Sequence, residues 1–258
     1  MYKLHLLDSL MHIQPNEIDL VISQMDEWGI AGAFAVALPN IRDYQENTYA
    51  DSIRLKTNRL FPVAFYPYKP KETAISIRQK LRRMRDLGYL GIKLHPRISK
   101  IDLSNNTLVE IIQEANIQSL AVMLCTYFYS NTLPNNSFDK LVHTLFKLDG
   151  AKLILMHACS VRLLEAIELA RAFPNILLDL SHVLCKYAGS SLDLDIAFAF
   201  HSFDRRICIG SDFPDFSLQI LRERFDFFSR DIPSEKCVNI AYKNLLNFTG
   251  LKGKNFEI

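Results

Sequence analysis

The sequence has no surplus of either charge: its formal net charge is +2 over 258 residues. A protein that neutralises many phosphates usually carries a basic surplus or stripe, so nucleic acid is not an expected partner. The densest basic run, Lys80-Leu81-Arg82-Arg83-Met84-Arg85, lies in an amphipathic helical pattern and reads as a solvated helix face. A disulfide framework is missing as well. Cys125, Cys159, Cys185, Cys208 and Cys237 are odd in number, scattered and mostly embedded in apolar runs. No window has the unbroken apolar length of a membrane span, and the amino terminus lacks the apolar stretch of a signal peptide. The expectation is a cytoplasmic, reduced protein with a small-molecule substrate and no membrane partner. There is no GxGxxG or Walker loop, which counts against an open, doubly wound sheet. Nor is there a linker or a low-complexity segment, so residues 1–258 read as one domain.

What the chain does have is a rhythm. Short apolar runs at 3–8, 31–38, 61–66, 90–95, 120–125, 152–157, 175–181 and 206–212 alternate with amphipathic stretches of helical spacing. The helical stretches include 16–28, 44–57, 71–87, 160–173, 218–228 and 233–248, with others starting near Ser104, Ser137 and Ser191. Strands such as Ile154-Leu155-Met156 and Ile176-Leu177-Leu178 are apolar throughout, as strands buried on both faces of a parallel sheet are. Eight strand–helix units in a chain of this length predict an α/β fold, a single (β/α)8 TIM-type barrel.

Active sites of such barrels lie at the carboxyl ends of the strands. Those positions hold His12, Lys93, His95, Arg97, Cys125, Tyr127, His157, His182 and Asp212. Four of the seven histidines, His12, His95, His157 and His182, fall there. Imidazole, thiolate and carboxylate are the usual ligands of zinc and related ions. Each residue also has a plainer reading. His12 could cap a turn before Pro15, His157 could be a core histidine on a carbonyl, and Asp212 could brace the loop before Pro214. Cys125 could be a small buried hydrophobe. Gathered at one barrel end, they favour a site.

Gly91-Ile92-Lys93-Leu94-His95-Pro96, Leu155-Met156-His157, Ile209-Gly210-Ser211-Asp212-Phe213-Pro214 and Asn244-Leu245-Leu246-Asn247-Phe248 resemble the amidohydrolase-related family, a branch of the amidohydrolase superfamily that also holds the aminocarboxymuconate semialdehyde decarboxylases. The resemblance runs from the first strand to the final helix. It implies a divalent metal, zinc first, held by His12, Cys125, His157 and Asp212, with Asp212 also the general base. The chain departs from the family pattern at two of these places. Strand one, Asp8-Ser9-Leu10-Met11-His12, has leucine where the first of two histidines is expected, and Cys125 stands where strand five supplies a histidine.

The leading expectation is a metal-dependent hydrolase acting on a small carbonyl substrate (a lactone, ester or amide), with non-oxidative decarboxylation as a close variant. Asp212, Lys93 and His95 are the catalytic candidates; Arg97, His182 and Tyr127 are the substrate-binding ones. Leu10 motivates an alternative, a metal-free barrel that binds a ligand or partner without catalysis. A third reading makes Lys93 a Schiff-base nucleophile. A homodimer is the default assembly.

Overall fold

The computed structural model describes residues 4–39, 44–128 and 137–251. Eight strands form one parallel sheet in sequential order: β1 Leu6–Met11, β2 Ile30–Val36, β3 Leu60–Phe65, β4 Gly91–Leu94, β5 Ala121–Cys125, β6 Leu153–Met156, β7 Ile176–Asp179 and β8 Ile207–Cys208. Helices follow the strands: α1 Ile18–Trp28, α2 Glu46–Arg54, α3 Ala74–Asp86, the short α4 Pro96–Ser99, α5 Asn106–Ile117, α6 Phe138–Lys147, α7 Leu163–Ala172, the short α8 Val183–Lys186, α9 Leu192–Ser202, α10 Leu218–Ser229, α11 Ser234–Val238 and α12 Asn244–Thr249. The expected (β/α)8 barrel is present.

The ring closes where the chain beyond β8 runs beside β1. Ser9 N donates to Ile209 O at 2.9 Å, Asp212 N to Leu10 O at 3.0 Å, and His12 N to Phe213 O at 2.7 Å. This closure brings residues from opposite ends of the sequence, His12 and Asp212, side by side.

Two apolar regions hold the fold. One lies between strands and helices, where the buried faces of α1, α3, α5 and α7 supply Val21, Met25, Ile77, Leu81, Leu108, Ile111, Ile112, Leu163 and Ile167. The other fills the barrel interior and includes Leu7, Leu10, Phe34, Val36, Phe61, Val63, Met123, Ile154, Met156 and Leu177. Leu10 is wholly buried in this plug, so the position where the family pattern has a polar ligand carries apolar packing instead.

Several boundaries differ from the sequence pattern, each for a local reason. β1 begins later and runs through Met11, so Asp8, Ser9 and Leu10 lie inside the strand and not beyond its end; residue 3 of the predicted run is outside the described residues. Residues 158–160 take left-handed backbone, which delays α7 to Leu163. The predicted helix 233–248 is α11, a wider π turn at Asn239–Lys243, and α12.

Phe34 and Phe61 meet inside the barrel at 5.4 Å between ring centroids. Phe34→Ala should destabilise the protein by about 3–5 kcal/mol, the usual cost of a large buried cavity. Urea unfolding of the variant checks this; an unchanged midpoint would show that the interior does not carry the fold.

Candidate active site at the carboxyl mouth of the barrel

Three of the candidate residues share an unusual backbone. His157, His182 and Asp212, which follow β6, β7 and β8, have φ of 64°, 66° and 61°. Left-handed backbone at a non-glycine residue costs on the order of 1–3 kcal/mol and clusters at functional sites. Here it turns three polar side chains into the mouth.

Their ring nitrogens are oriented by neighbouring backbone. His12 Nδ1 lies 2.7 Å from Val36 O at the end of β2. His157 Nδ1 lies 3.1 Å from Ser181 O and 3.2 Å from Ser181 Oγ. A carbonyl can only accept, so in both rings Nδ1 carries the hydrogen and a neutral ring leaves Nε2 as a bare lone pair. Burial lowers the pKa of both histidines, and the charge of Lys93 lowers them further; His157 is brought down to about 3 although Asp212 pulls the other way. Both rings are therefore neutral at physiological pH.

Asp212 stands between two imidazoles. Its Oδ1 is 3.5 Å from His12 Nε2 and its Oδ2 is 3.3 Å from His182 Nδ1. Burial alone would raise its pKa. The hydrogen bond from His182 Nδ1 and the charge of Lys93 oppose that and hold it below the usual carboxylate range. Asp212 is therefore an ionised carboxylate at neutral pH. The Nε2 atom of His182 is buried and has no hydrogen-bond partner.

The matching positive charge is Lys93, projecting from β4 with 1 % of its surface exposed. Its Nζ lies 3.3 Å from His12 Nε2, which accepts one of its hydrogens. An ammonium has three donors; among the described residues the other two have no partner. His95 caps α4, its Nδ1 accepting from Ile98 N at 3.4 Å, and burial, Lys93 and Arg97 drive its pKa down to about 2. It is a neutral ring that fixes the loop carrying Arg97. Cys125 ends β5, and burial pushes its thiol up, so it is not a thiolate in the absence of a metal.

The four sequence-predicted ligands are thus at one mouth, but no three of their ligand atoms converge. Among the described residues, the one group whose three ligand atoms all lie within 4.8 Å of one another is His182, Asp212 and Asp215. Asp215 is exposed and was not anticipated from the sequence, although a second acid three residues after Asp212 was there to be seen. His182 is nearer to Asp212 than its sequence position alone suggested.

Beneath the mouth lie two wholly buried carboxylates, Asp8 of β1 and Asp179 of β7. Asp179 accepts from Ser9 Oγ and Ser181 Oγ, from Ser181 N at 3.1 Å and from His157 N at 3.4 Å. Asp8 Oδ1 accepts from Leu10 N at 2.9 Å and Ser211 N at 3.0 Å, while Oδ2 has no partner. Gly210 makes room for them: a Cβ there would come within 2.4 Å of Ser9 Oγ and 3.0 Å of Asp8 Oδ1. The two acids thereby tie together the ends of β1, β6, β7 and β8, which carry His12, His157, His182 and Asp212.

Comparison with known proteins places this geometry in context. The amidohydrolase family model matches residues 11–236. No curated protein sequence matches the chain. An uncharacterised TIM-barrel protein from Bordetella bronchiseptica superposes with a TM-score of 0.78 at 16 % identity, covering 96 % of this chain and 100 % of its own. A 2,6-dihydroxybenzoate decarboxylase in complex with 2,6-dihydroxybenzoate gives 0.67 at 14 % identity, covering 98 % and 100 %. A 5-carboxyvanillate decarboxylase from Novosphingobium aromaticivorans with bound manganese gives 0.60 at 12 % identity, covering 90 % and 80 %. At such identities the likeness is one of fold.

Burial raises the pKa of Asp8 to about 7, against the hydrogen bonds from Ser211 and Leu10 and with help from Asp179. A carboxyl whose folded pKa is raised stabilises the fold fully below its unfolded pKa, near 4, and loses that contribution as pH rises through about 7. Asp8→Asn cannot ionise, so its melting temperature should gain on the parent protein as pH rises from 5 to 8. A difference that stays constant over that range in paired thermal melts would show that Asp8 does not titrate there.

Proposed function

The chain belongs to the amidohydrolase family, and from that premise we propose that it is a hydrolase of small, anionic carbonyl compounds (lactones, esters or amides) working at this barrel mouth. The observation that carries the proposal is the pairing of a buried, ionised Asp212 with a buried Lys93 ammonium that has two uncommitted donors.

The residues suit a divalent metal ion. His12 and His157 each use Nδ1 on a backbone carbonyl and present a bare Nε2, the arrangement by which outer partners orient metal-binding imidazoles. Asp212 adds a carboxylate beside His12, and His182, whose Nδ1 lies 3.3 Å from Asp212 Oδ2, adds a further imidazole there. His182, Asp212 and Asp215, whose ligand atoms converge, would hold the ion, with the imidazoles of His12 and His157 beside them; imidazole and carboxylate donors suit zinc. When bound, such an ion lowers the pKa of a water and polarises a carbonyl.

The chain's own groups supply the rest. Lys93 donates to the substrate oxygen on which negative charge develops as the carbonyl is attacked. Asp212 takes one proton from the attacking water; the remaining hydroxide bonds to the carbonyl carbon. As the bond to the leaving group breaks, Asp212 returns that proton to it. Non-oxidative decarboxylation is the second reading, motivated by the named activities of the decarboxylases that share the fold. It needs a proton delivered to carbon in place of the departing carboxyl group. Asp212 is ionised in the resting site and holds no proton to deliver to carbon, whereas in hydrolysis it first collects one from the water.

A panel of small lactones, esters and amides bearing a carboxylate tests the proposal. On the best substrate, Asp212→Asn should lower kcat by about 10²–10⁴-fold, and Lys93→Met should raise KM for anionic substrates more than for neutral analogues. Full activity in Asp212→Asn, or no turnover of any member by the parent protein, would overturn the hydrolase reading.

A further inference from the structure

The rim of the mouth holds a second concentration of positive charge that the proposed chemistry does not use. Tyr127 follows β5, and its ring packs edge-on against His182 at 5.4 Å between centroids; His182 in turn touches Asp212. Two cations converge on this one tyrosine. The Arg97 guanidinium, from α4, lies 5.2 Å from the ring centroid. Lys186, the last residue of α8, places Nζ 5.1 Å from the same centroid and donates to the tyrosine Oη at 3.1 Å. Lys186 Nζ also lies 5.6 Å from the Tyr187 ring.

Neither cation forms an ion pair with a carboxylate among the described residues, and the segment 129–136, next to Tyr127, contains no Asp or Glu. A cation over an aromatic face is attracted by the ring's negative centre. One cation would suffice to hold the ring. A second like charge on the same ring adds repulsion, and both side chains give up rotamer freedom to be there. A visiting anion removes that repulsion. Lys93 is buried beside His12, whereas Arg97 and Lys186 are exposed and meet at Tyr127, whose ring packs against His182.

We propose that Arg97 and Lys186 form an outer anion subsite, so that the substrate carries two anionic groups. One is held near Lys93, and the other is held at the rim with Tyr127 as the platform between them. This rests on the mouth being the active site, and it makes Lys186, which no strand-end reasoning singled out, a specificity-determining residue.

Calorimetric titration of the full chain with benzoate, isophthalate and terephthalate tests this. The better dicarboxylate should bind about tenfold more tightly than benzoate, with the advantage shrinking as salt is raised. Lys186→Gln and Arg97→Gln should each remove most of that advantage while leaving benzoate affinity as it was; both residues are exposed, so folding should survive. Dicarboxylates that bind no better than benzoate, an advantage that survives both substitutions, or no binding of any of the three would overturn the subsite. Lys93→Met separates the two claims. Loss of benzoate binding in that variant supports the inner position, whereas unchanged benzoate affinity counts against the active-site reading whatever the rim residues do.

Discussion

Everything at the mouth depends on two carboxylates that never meet solvent. Asp8 and Asp179 lie in the barrel under the site and accept backbone or side-chain hydrogens from β1, β6, β7 and the segment beyond β8. Burying an acid is expensive unless its oxygens are hydrogen-bonded. The sequence meets that requirement for Asp179 with Ser9 and Ser181 and leaves one oxygen of Asp8 unmatched. Four strand ends are thereby held in one arrangement. His157, His182 and Asp212 keep left-handed backbone, a conformation that persists only where the surroundings over-determine it.

On this layer rests a balance of charge. Asp212 and Lys93 are both buried and are linked through the ring of His12, whose Nε2 faces both. With Nδ1 committed to Val36 O, that nitrogen is a lone pair beside a carboxylate oxygen, a repulsive meeting unless a cation lies close. Lys93 provides one such charge, and a divalent metal is the other that the donors suit. His95 and Cys125 contribute differently from what their residue types suggest. Burial keeps the first a neutral capping ring and the second a protonated thiol. The rim adds Arg97 and Lys186 to Lys93, so the mouth is positive apart from Asp212 and Asp215, a field that draws anions in.

Much of this was legible in the sequence. The alternation of apolar runs with helical spacing identified the barrel because strands buried on both faces have few other compositions. The strand-end rule then found His12, Lys93, His157, His182 and Asp212 together. The buried acids were harder to read. Asp8 and Asp179 look like strand-end candidates until β1 is seen to continue through Met11, which moves Asp8 inside the barrel. Lys186 and Asp215 were illegible for another reason: their meaning lies in contacts with Tyr127 and with His182 and Asp212, which turns of the loops create and periodicity does not encode. Leu10 carried its message in plain sight, since an apolar side chain at that position can only join the interior plug.

The central claim is that Asp212, with His182 and Asp215 converging on it and His12 and His157 beside it, serves one divalent ion. Elemental analysis of protein purified without chelator, beside the Asp212→Asn, His157→Ala double variant, tests it most directly. The account predicts about one equivalent of zinc or a similar ion in the parent protein, in line with a single mononuclear site, and none in a double variant that still folds. A parent protein that takes up no metal even after incubation with zinc, manganese or iron would contradict it, leaving Lys93 as the sole cation of the site.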